Sequence, residues 1–312
     1  MINVLIVCSG NIVDFNFEIH QAFIADQMKA IEKRNNQIRF YCFFIKGKGI
    51  KGYLSNLKRL KQLLKKQPID VIHAHFSLSG LLANFQRKIP VVITFHGSDI
   101  NLTLHRYISG LVQILSVSTV FVSEKLQNKA LFKRKSFVVP CGVDFEIFKP
   151  LPQLECREVF KMDSSRFYIL FSSSFSNKVK NFKLLQEAVE LLNDNKIEVI
   201  ELKNYTRKQV ASLMNAVNLC VMTSFNEGSP QFIKEAMACN CPIISTDVGD
   251  VKEVLNNTYG SYLCDYDKDD LANKIMEVKK QNRRTKGRDT IAYLDNDIIA
   301  EKIVEVYQKV LQ

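Results

Sequence analysis

The chain has no long hydrophobic run, no C-x-x-C pair and no glycine fingerprint after its opening segment, and each absence closes a class. Apolar runs such as Val4–Cys8 and Pro90–Phe95 fall far short of the ~18 residues that a membrane span requires. Met1–Gly10 has neither a basic n-region nor a long apolar h-region, so it reads as a first β-strand rather than a signal peptide. Eight cysteines stand at 8, 42, 141, 156, 220, 239, 241 and 264, several of them inside apolar runs. That is the pattern of buried free thiols in a reducing compartment, not of a disulfide frame or a zinc site. Gly10 stands alone where a dinucleotide-binding dehydrogenase would carry G-x-G-x-x-G. There is no low-complexity tract and no repeat at a period of about 20–50 residues. A cytoplasmic globular protein is expected.

What is present is ordinary in amount and uneven in placement. Apolar residues make up 46% and charged residues 24% of 312, which argues against disorder and allows about two domains with proper cores. The formal charge is +11. Residues 1–150 hold 21 basic against 9 acidic side chains, a net of +12, whereas residues 151–312 hold 22 against 23. Lys33 to Ile69 contains eleven basic residues and no acid. The first half is therefore expected to face something anionic, and the two halves to have different ligands.

Strand and helix patterns alternate almost throughout. Ile2–Cys8, Arg39–Phe44, Val71–His73, Val91–Phe95, Thr119–Val122 and Phe137–Val139 read as strands of a buried parallel sheet, with helix-length segments between them at about 17–34, 53–66, 78–87 and 103–116. Pro140, Gly142, Pro150 and Pro152 interrupt the series and mark a linker. The alternation resumes with strands at Phe167–Phe171, Ile197–Glu201, Leu219–Met222, Pro242–Ser245 and Ser261–Leu263, and helices at about 180–193, 206–216, 230–239 and 267–280. The second unit is short by a strand. The expectation is α/β: two Rossmann-like doubly wound domains facing a cleft, at 1–148 and 149–296, with a terminal helix at 297–312 free to return to the first domain.

The most specific segment runs from Ser224 to Pro242, "SFNEGSPQFIKEAMACNCP". Leu219–Met222 supplies a strand, Ser224–Gly228 a loop, Ser229 a helix N-cap and Pro230 the first helical position. Asn240 suits the left-handed position that ends the helix, and Pro242 prevents its continuation. A strand, a tight loop and a helix N-terminus make an anion site. Glu227 and Glu235, eight apart, can contact two ends of one polar ligand.

These residues form an E-x7-E pair, and the stretch "EGSPQFIKEAMACNCPIISTDVGDVKEVL" resembles the donor-binding signature of retaining glycosyltransferases of family 4, which have the GT-B fold. "FIADQMKAI" (23–31), "DVIHAHFSLSG" (70–80), "TFHGSDI" (94–100), "VVPCGVDFEIFKP" (138–150) and "NKVKNFKLLQEA" (177–188) are similar to that family's other segments, in its order. The variant is most similar to enzymes of bacterial surface-polysaccharide biosynthesis. The resemblance implies that Glu227 and the backbone after it, at Gly228 and Ser229, hold the donor sugar hydroxyls and phosphates, and that Glu235 takes the ribose hydroxyls. It implies that Lys180 contacts the diphosphate, that His96 sits near the transferred sugar, and that Gly10 lets backbone approach the reacting centre. Many members carry an arginine shortly before that lysine. Here Ser173, Ser174 and Phe175 fall in its place, leaving Lys178 as the second positive charge.

Other polar residues have plainer readings. His73 and His75 share a strand face, but Asp70 falls on the opposite one, so packing or polar lining is preferred to a metal pair. Asp265-Tyr266-Asp267 imitates a metal-holding D-x-D but precedes a helix, where N-capping accounts for it. Asp99 suits either a helix cap or the site. The implied activity is metal-independent transfer of a hexosyl group, without a cofactor, from a UDP- or GDP-sugar to a lipid-linked or other glycan, with retention. A nucleotide-sugar epimerase of the same fold is the alternative. A nucleic-acid binder is a weaker one, because Phe40, Tyr41, Phe43 and Phe44 follow a buried-strand pattern rather than a stacking platform. Over Tyr53–Lys66 the residues Tyr53, Leu57, Leu60, Leu63 and Leu64 fall on one helical face, and Lys58, Arg59, Lys61, Lys65 and Lys66 on the other. Such a face suits peripheral attachment to the anionic inner leaflet of the cytoplasmic membrane.

Overall fold

Among the described residues eleven parallel strands stand at or close to the predicted runs. The computed structural model describes residues 1–101, 103–133 and 135–312. In the first sheet β1 (Ile2–Ser9), β2 (Ile38–Ile45), β3 (Val71–His75), β4 (Val91–Phe95), β5 (Ser118–Phe121) and β6 (Ser136–Val138) are ordered β2-β1-β3-β4-β5-β6. In the second, β7 (Phe167–Phe171), β8 (Ile197–Glu201), β9 (Leu219–Met222), β10 (Ile243–Thr246) and β11 (Ser261–Cys264) are ordered β11-β10-β9-β7-β8. The second sheet is one strand smaller, as the pattern required. Strands such as Val4–Cys8 and Phe167–Phe171 are buried along their whole length, which is why they read as unbroken apolar runs rather than alternating ones.

The chain divides into two compact units, Met1–Gly142 with Asn296–Gln312, and Val143–Asp295. The break falls at Gly142, six residues before the expected boundary. In the first unit Leu5, Val7, Phe43, Ile45, Ile72, Ala74, Ile93, Phe95 and Phe121 present one sheet face to the helices Leu57–Lys66, Ser77–Asn84 and Thr103–Leu115. The terminal helix Asn296–Leu311 packs on the helix Ala22–Arg34 within this unit. There Arg34 reaches Glu301 at 3.3 Å and Asp297 at 3.6 Å. In the second unit Phe167, Ile169, Phe171, Leu219, Val221 and Ile244 pack with Leu185, Leu271 and Ile275.

Two expected helices are each broken in two. The segment 17–34 is interrupted at Gln21, between the helices Phe17–His20 and Ala22–Arg34. The segment 53–66 divides into Gly49–Leu54 and Leu57–Lys66. At the second break the Asn56 amide is buried and donates to the carbonyls of Lys46 and Gly52, each at 2.8 Å. A short polar side chain that satisfies nearby main chain competes with the helix ladder. The apolar side chains still lie as expected: Leu60 is buried, and Tyr53, Leu57, Leu63 and Leu64 pack against the core. Arg59 is exposed with the other basic residues of this face, and its guanidinium also donates to the Phe44 carbonyl and lies 4.5 Å over the Phe43 ring. No disulfide links the eight cysteines, and burial pushes the Cys8 thiol up to about 12. Among the described residues no helix is long and apolar enough to cross a membrane.

Candidate functional site

In a doubly wound sheet, ligands gather outside the carboxyl ends of strands where the order reverses. In the second unit that point lies between β7 and β9, which pair Ile169 with Leu219 and Phe171 with Val221. The loops leaving these strands carry Lys180 and Glu227. The structure brings them together: Lys180 Nζ donates to Glu227 Oε1 at 2.6 Å, with both side chains about four-fifths buried. The two loops are also stitched through main chain. The Phe225 N–H donates to the Val179 carbonyl at 3.0 Å, and the Thr223 hydroxyl donates to the carbonyls of Lys180 and Asn181 at 3.0 and 2.8 Å. Lys180 thus stands on a braced 3₁₀ turn, Lys178–Lys180, not on a loose loop. Lys178 in the same turn is exposed and has no side-chain hydrogen bond or ion pair among the described residues. Where an arginine was expected, Ser174 Oγ and the Phe175 N–H both donate to Glu201 at 2.7 Å.

The helix after Glu227 runs Gln231–Ala238, with Pro230 as its N-cap. The expected Ser229 cap is corrected by one residue. The Ser229 hydroxyl is drawn away from the helix end by Lys234 Nζ and Asp250 Oδ2, each at 2.5 Å. Asn240 takes the left-handed conformation as expected, at φ 55°. Glu235, in the second turn, is almost wholly buried and pairs with Arg207. Arg207 begins the helix Arg207–Ala216, whose start is fixed by a Thr206–Gln209 capping box, and its guanidinium lies 4.6 Å over the Phe148 ring. The unit therefore presents two acid–base pairs, Lys180–Glu227 in the loops before this helix and Arg207–Glu235 at its second turn, and the helix N-terminus that follows Glu227 favours anions. Each carboxylate meets a cation from another element, so together they suit a ligand that carries hydroxyls and negative charge.

Arg207, Lys234 and Asp250 were given no role from sequence. Lys234 and Asp250 stand inside the signature stretch, so position alone could have raised them. For Arg207 the capping box gives the helix start, but nothing in sequence pairs it with Glu235, 28 residues on. Tyr266 donates to the Ser224 carbonyl at 2.8 Å and stacks on Phe225. Its neighbour Asp267 accepts from the Asp270 N–H at 2.8 Å, the N-cap expected of it. Among the described residues no cluster of three His, Cys, Asp or Glu side chains is arranged to hold a metal.

The other expected site residues, Gly10 and His96, belong to the first unit. His75 Nδ1 lies 3.0 Å from His96 Nε2, and the two rings stack with His73 in a column. His73 is wholly buried between the Tyr307 hydroxyl and Thr94 Oγ1, each at 2.7 Å. This is the polar packing expected of it. Burial lowers the His73 imidazole to about 3 and His75 well below its ordinary value. Asp99 accepts from the main-chain N–H groups of Ser77 at 2.7 Å and His96 at 3.1 Å, tying the ends of β3 and β4 together. Phe76, beside this column, holds φ 71°, a conformation a bulky residue keeps only where its surroundings enforce it. Gly10 donates its N–H to the Ile45 carbonyl, and a Cβ there would lie 3.0 Å from Phe44 Cβ. Close approach of β2 thus already accounts for a glycine at that position.

Two parallel α/β units, the second with a paired cation and carboxylate at its switch point, have the architecture of the GT-B fold class. Residues 15–147 match the model "Glycosyltransferase Family 4" and residues 166–281 the model "Glycosyl transferases group 1". The two models together span most of the chain, which belongs to these glycosyltransferase families; it is 30% identical to a putative teichuronic acid biosynthesis glycosyltransferase of Bacillus subtilis, over 59% of this chain and 55% of that protein. It is 26% identical to an uncharacterised glycosyltransferase of Methanocaldococcus jannaschii, over 78% of this chain and 75% of that protein. It is 22% identical to the UDP-Gal:α-D-GlcNAc-diphosphoundecaprenol α-1,3-galactosyltransferase of Escherichia coli, over 72% and 70%. Among such relatives the matched share of the relative's own length runs from 55% to 82%. Anabaena HepE, solved in complex with UDP and glucose, shares the fold with a TM-score of 0.77 at 14% identity, over 99% of this chain and 100% of that one.

Proposed function

We propose that this glycosyltransferase moves a hexosyl group from a UDP- or GDP-sugar to a lipid-linked glycan, with retention and without a metal. The observation that carries the reading is the Lys180–Glu227 pair at the β7/β9 switch point, four residues before a helix N-terminus. In this reading Lys180 neutralises charge on the departing diphosphate, and Glu227 holds sugar hydroxyls. Glu235, oriented by Arg207, accepts from the ribose. The C–O bond from the anomeric carbon to the diphosphate breaks as the acceptor oxygen bonds to the same face. The acceptor's proton passes to the leaving diphosphate, so no nucleophile from the protein is required. The E. coli relative's UDP-Gal donor and diphosphoundecaprenol-linked acceptor, and the UDP bound to HepE, support this substrate class.

A second part of the reading places the first unit on an anionic membrane surface. Lys58, Lys61, Lys65 and Lys66 are exposed on the helix Leu57–Lys66. On the same sheet face the helix Thr103–Leu115 exposes Tyr107, Leu111 and Ile114, beside exposed Leu131 and Phe132. Cations and an apolar stripe on one face suit peripheral binding. The donor is tested by a thermal-shift panel of UDP, GDP, ADP and their sugars, since a ligand that binds only the native state raises its stability by mass action. The reaction is tested with labelled UDP- and GDP-sugars and a glycan-lipid acceptor. An α-linked product from an α-linked donor is expected, and a β-linked product refutes retention.

A further inference from the structure

Lys234 is a charged side chain for which the donor site described so far has no use. It sits on the helix Gln231–Ala238, immediately before Glu235, and its side chain is 0% exposed. Its ammonium donates to Ser229 Oγ at 2.5 Å and stands 3.8 Å from Asp250 Oδ2. The Ser229 hydroxyl in turn donates to Asp250 Oδ2 at 2.5 Å. An ammonium can only donate, so the serine oxygen must accept from Lys234, and its proton is committed to the aspartate. Asp250 directly precedes the helix Val251–Leu255 yet makes no side-chain cap there. Its carboxylate serves Ser229 instead.

The backbone says why these groups meet. Gly249 holds φ 59°, and a Cβ at that position would lie 2.6 Å from the Gly228 carbonyl oxygen and 3.2 Å from that of Glu227. The turn leaving β10 is therefore pressed against the turn leaving β9, the one that carries Glu227. Packing alone would favour an apolar residue at 234, because taking an ammonium out of water is unfavourable unless it is well paired. A buried Lys–Ser–Asp relay fixes an orientation that apolar packing does not.

We propose that Lys234, Ser229 and Asp250 are positioning residues that hold the Glu227–Ser229 turn in the geometry required by the sugar half of the donor. The Arg207–Glu235 pair serves the nucleotide half separately. This rests on the donor-site reading above. The Ser229 side chain, its proton held by Asp250 and one lone pair by Lys234, acts through the turn.

The test is calorimetric binding of UDP and UDP-glucose, and of GDP and GDP-mannose, to wild type, Ser229→Ala, Ser229→Thr and Lys234→Met. Ser229→Ala removes the bridge while leaving Lys234 and Asp250 to pair directly, so it remains informative even if Lys234→Met fails to fold. Ser229→Ala is expected to weaken the nucleotide-sugar about tenfold and the bare nucleotide less than twofold, with Ser229→Thr restoring wild-type binding. Glu227→Ala, costly in wild type, should cost little more in the Ser229→Ala background, because the turn it depends on is already displaced. Equal losses for nucleotide and nucleotide-sugar, no loss at all, or additive effects of Ser229→Ala and Glu227→Ala each overturn the proposal. If wild type binds none of the four compounds, or Glu235→Ala leaves nucleotide binding intact, the donor-site reading fails and this inference falls with it. If Glu235→Ala weakens the nucleotide and Ser229→Ala is silent, only this inference fails.

Discussion

Acid should destabilise the first unit, and the column of histidines sets by how much. His73 is lowered to about 3 and His75 well below its ordinary value, in both cases first by desolvation, with His73 and His96 adding to the effect on His75. In the unfolded chain each imidazole titrates near 6.5. The folded state therefore binds fewer protons than the unfolded state throughout the window below 6.5, so stability rises with pH across it and falls as the solution is acidified. Between pH 7.5 and 5.5 a histidine that stays neutral when folded contributes a loss of about 1.4 kcal/mol, and the pair about 2.7 kcal/mol. Urea unfolding at the two pH values measures the loss. His75→Phe, which fills the stack without an imidazole, should reduce the difference by about 1.4 kcal/mol. Tyr307→Phe is the control. It strips the hydroxyl from His73 Nδ1 at 2.7 Å and should cost about 1–3 kcal/mol at both pH values alike. Should His75→Phe and wild type lose the same stability on acidification, the histidines are not held neutral by burial and the reasoning is wrong.

Glu235→Ala should weaken nucleotide binding about tenfold or more, because charge-assisted hydrogen bonds contribute roughly 1.5–3 kcal/mol; calorimetry with UDP and GDP reads it. Glu227→Ala should spare free-nucleotide binding and reduce sugar transfer, and wild-type behaviour of both variants refutes the E-x7-E assignment. Lys180→Ala should lower turnover about a hundredfold with an unchanged circular dichroism spectrum, on the scale of losing one transition-state charge contact. Lys178→Ala, removing an exposed side chain, should change turnover less than twofold, and a loss confined to Lys178→Ala shifts the active cation by two residues. Neutralising Lys58, Arg59, Lys61, Lys65 and Lys66 together should abolish co-sedimentation with anionic vesicles at low salt, and equal binding by both proteins removes this helix from the membrane reading.

The strands were legible because a parallel sheet covered on both faces demands unbroken apolar runs, and little else in this chain supplies them. Val91–Phe95, Phe167–Phe171 and Leu219–Met222 are each found at the predicted residues, and so is the partly exposed edge strand Ile197–Glu201, which alternates instead. Helix continuity was not legible at Gln21 or Asn56. At Asn56 the decisive bonds run to Lys46, ten residues back, and depend on where β2 ends. The Ser229 cap was misplaced for a related reason. A serine before a helix is ordinarily its cap, but the partners that took this hydroxyl come from the next strand's loop and the helix interior.

The same distinction governs the candidate site. Glu227, Glu235 and Lys180 could be named from spacing and resemblance because each lies in a contiguous signature. Their partners could not, because pairing in this unit is set by sheet order. Lys180 meets Glu227 since β7 lies beside β9, although β8 stands between them in sequence; Asp250 meets Ser229 since β10 lies beside β9. The loop after β9 is thus tied by polar contacts to the loops of both its spatial neighbours, β7 and β10. A change in one loop is consequently felt at the carboxylate of the next. That makes Asp250, whose partner Ser229 lies 21 residues away in another loop, a residue through which variation after β10 can alter the turn that carries Glu227.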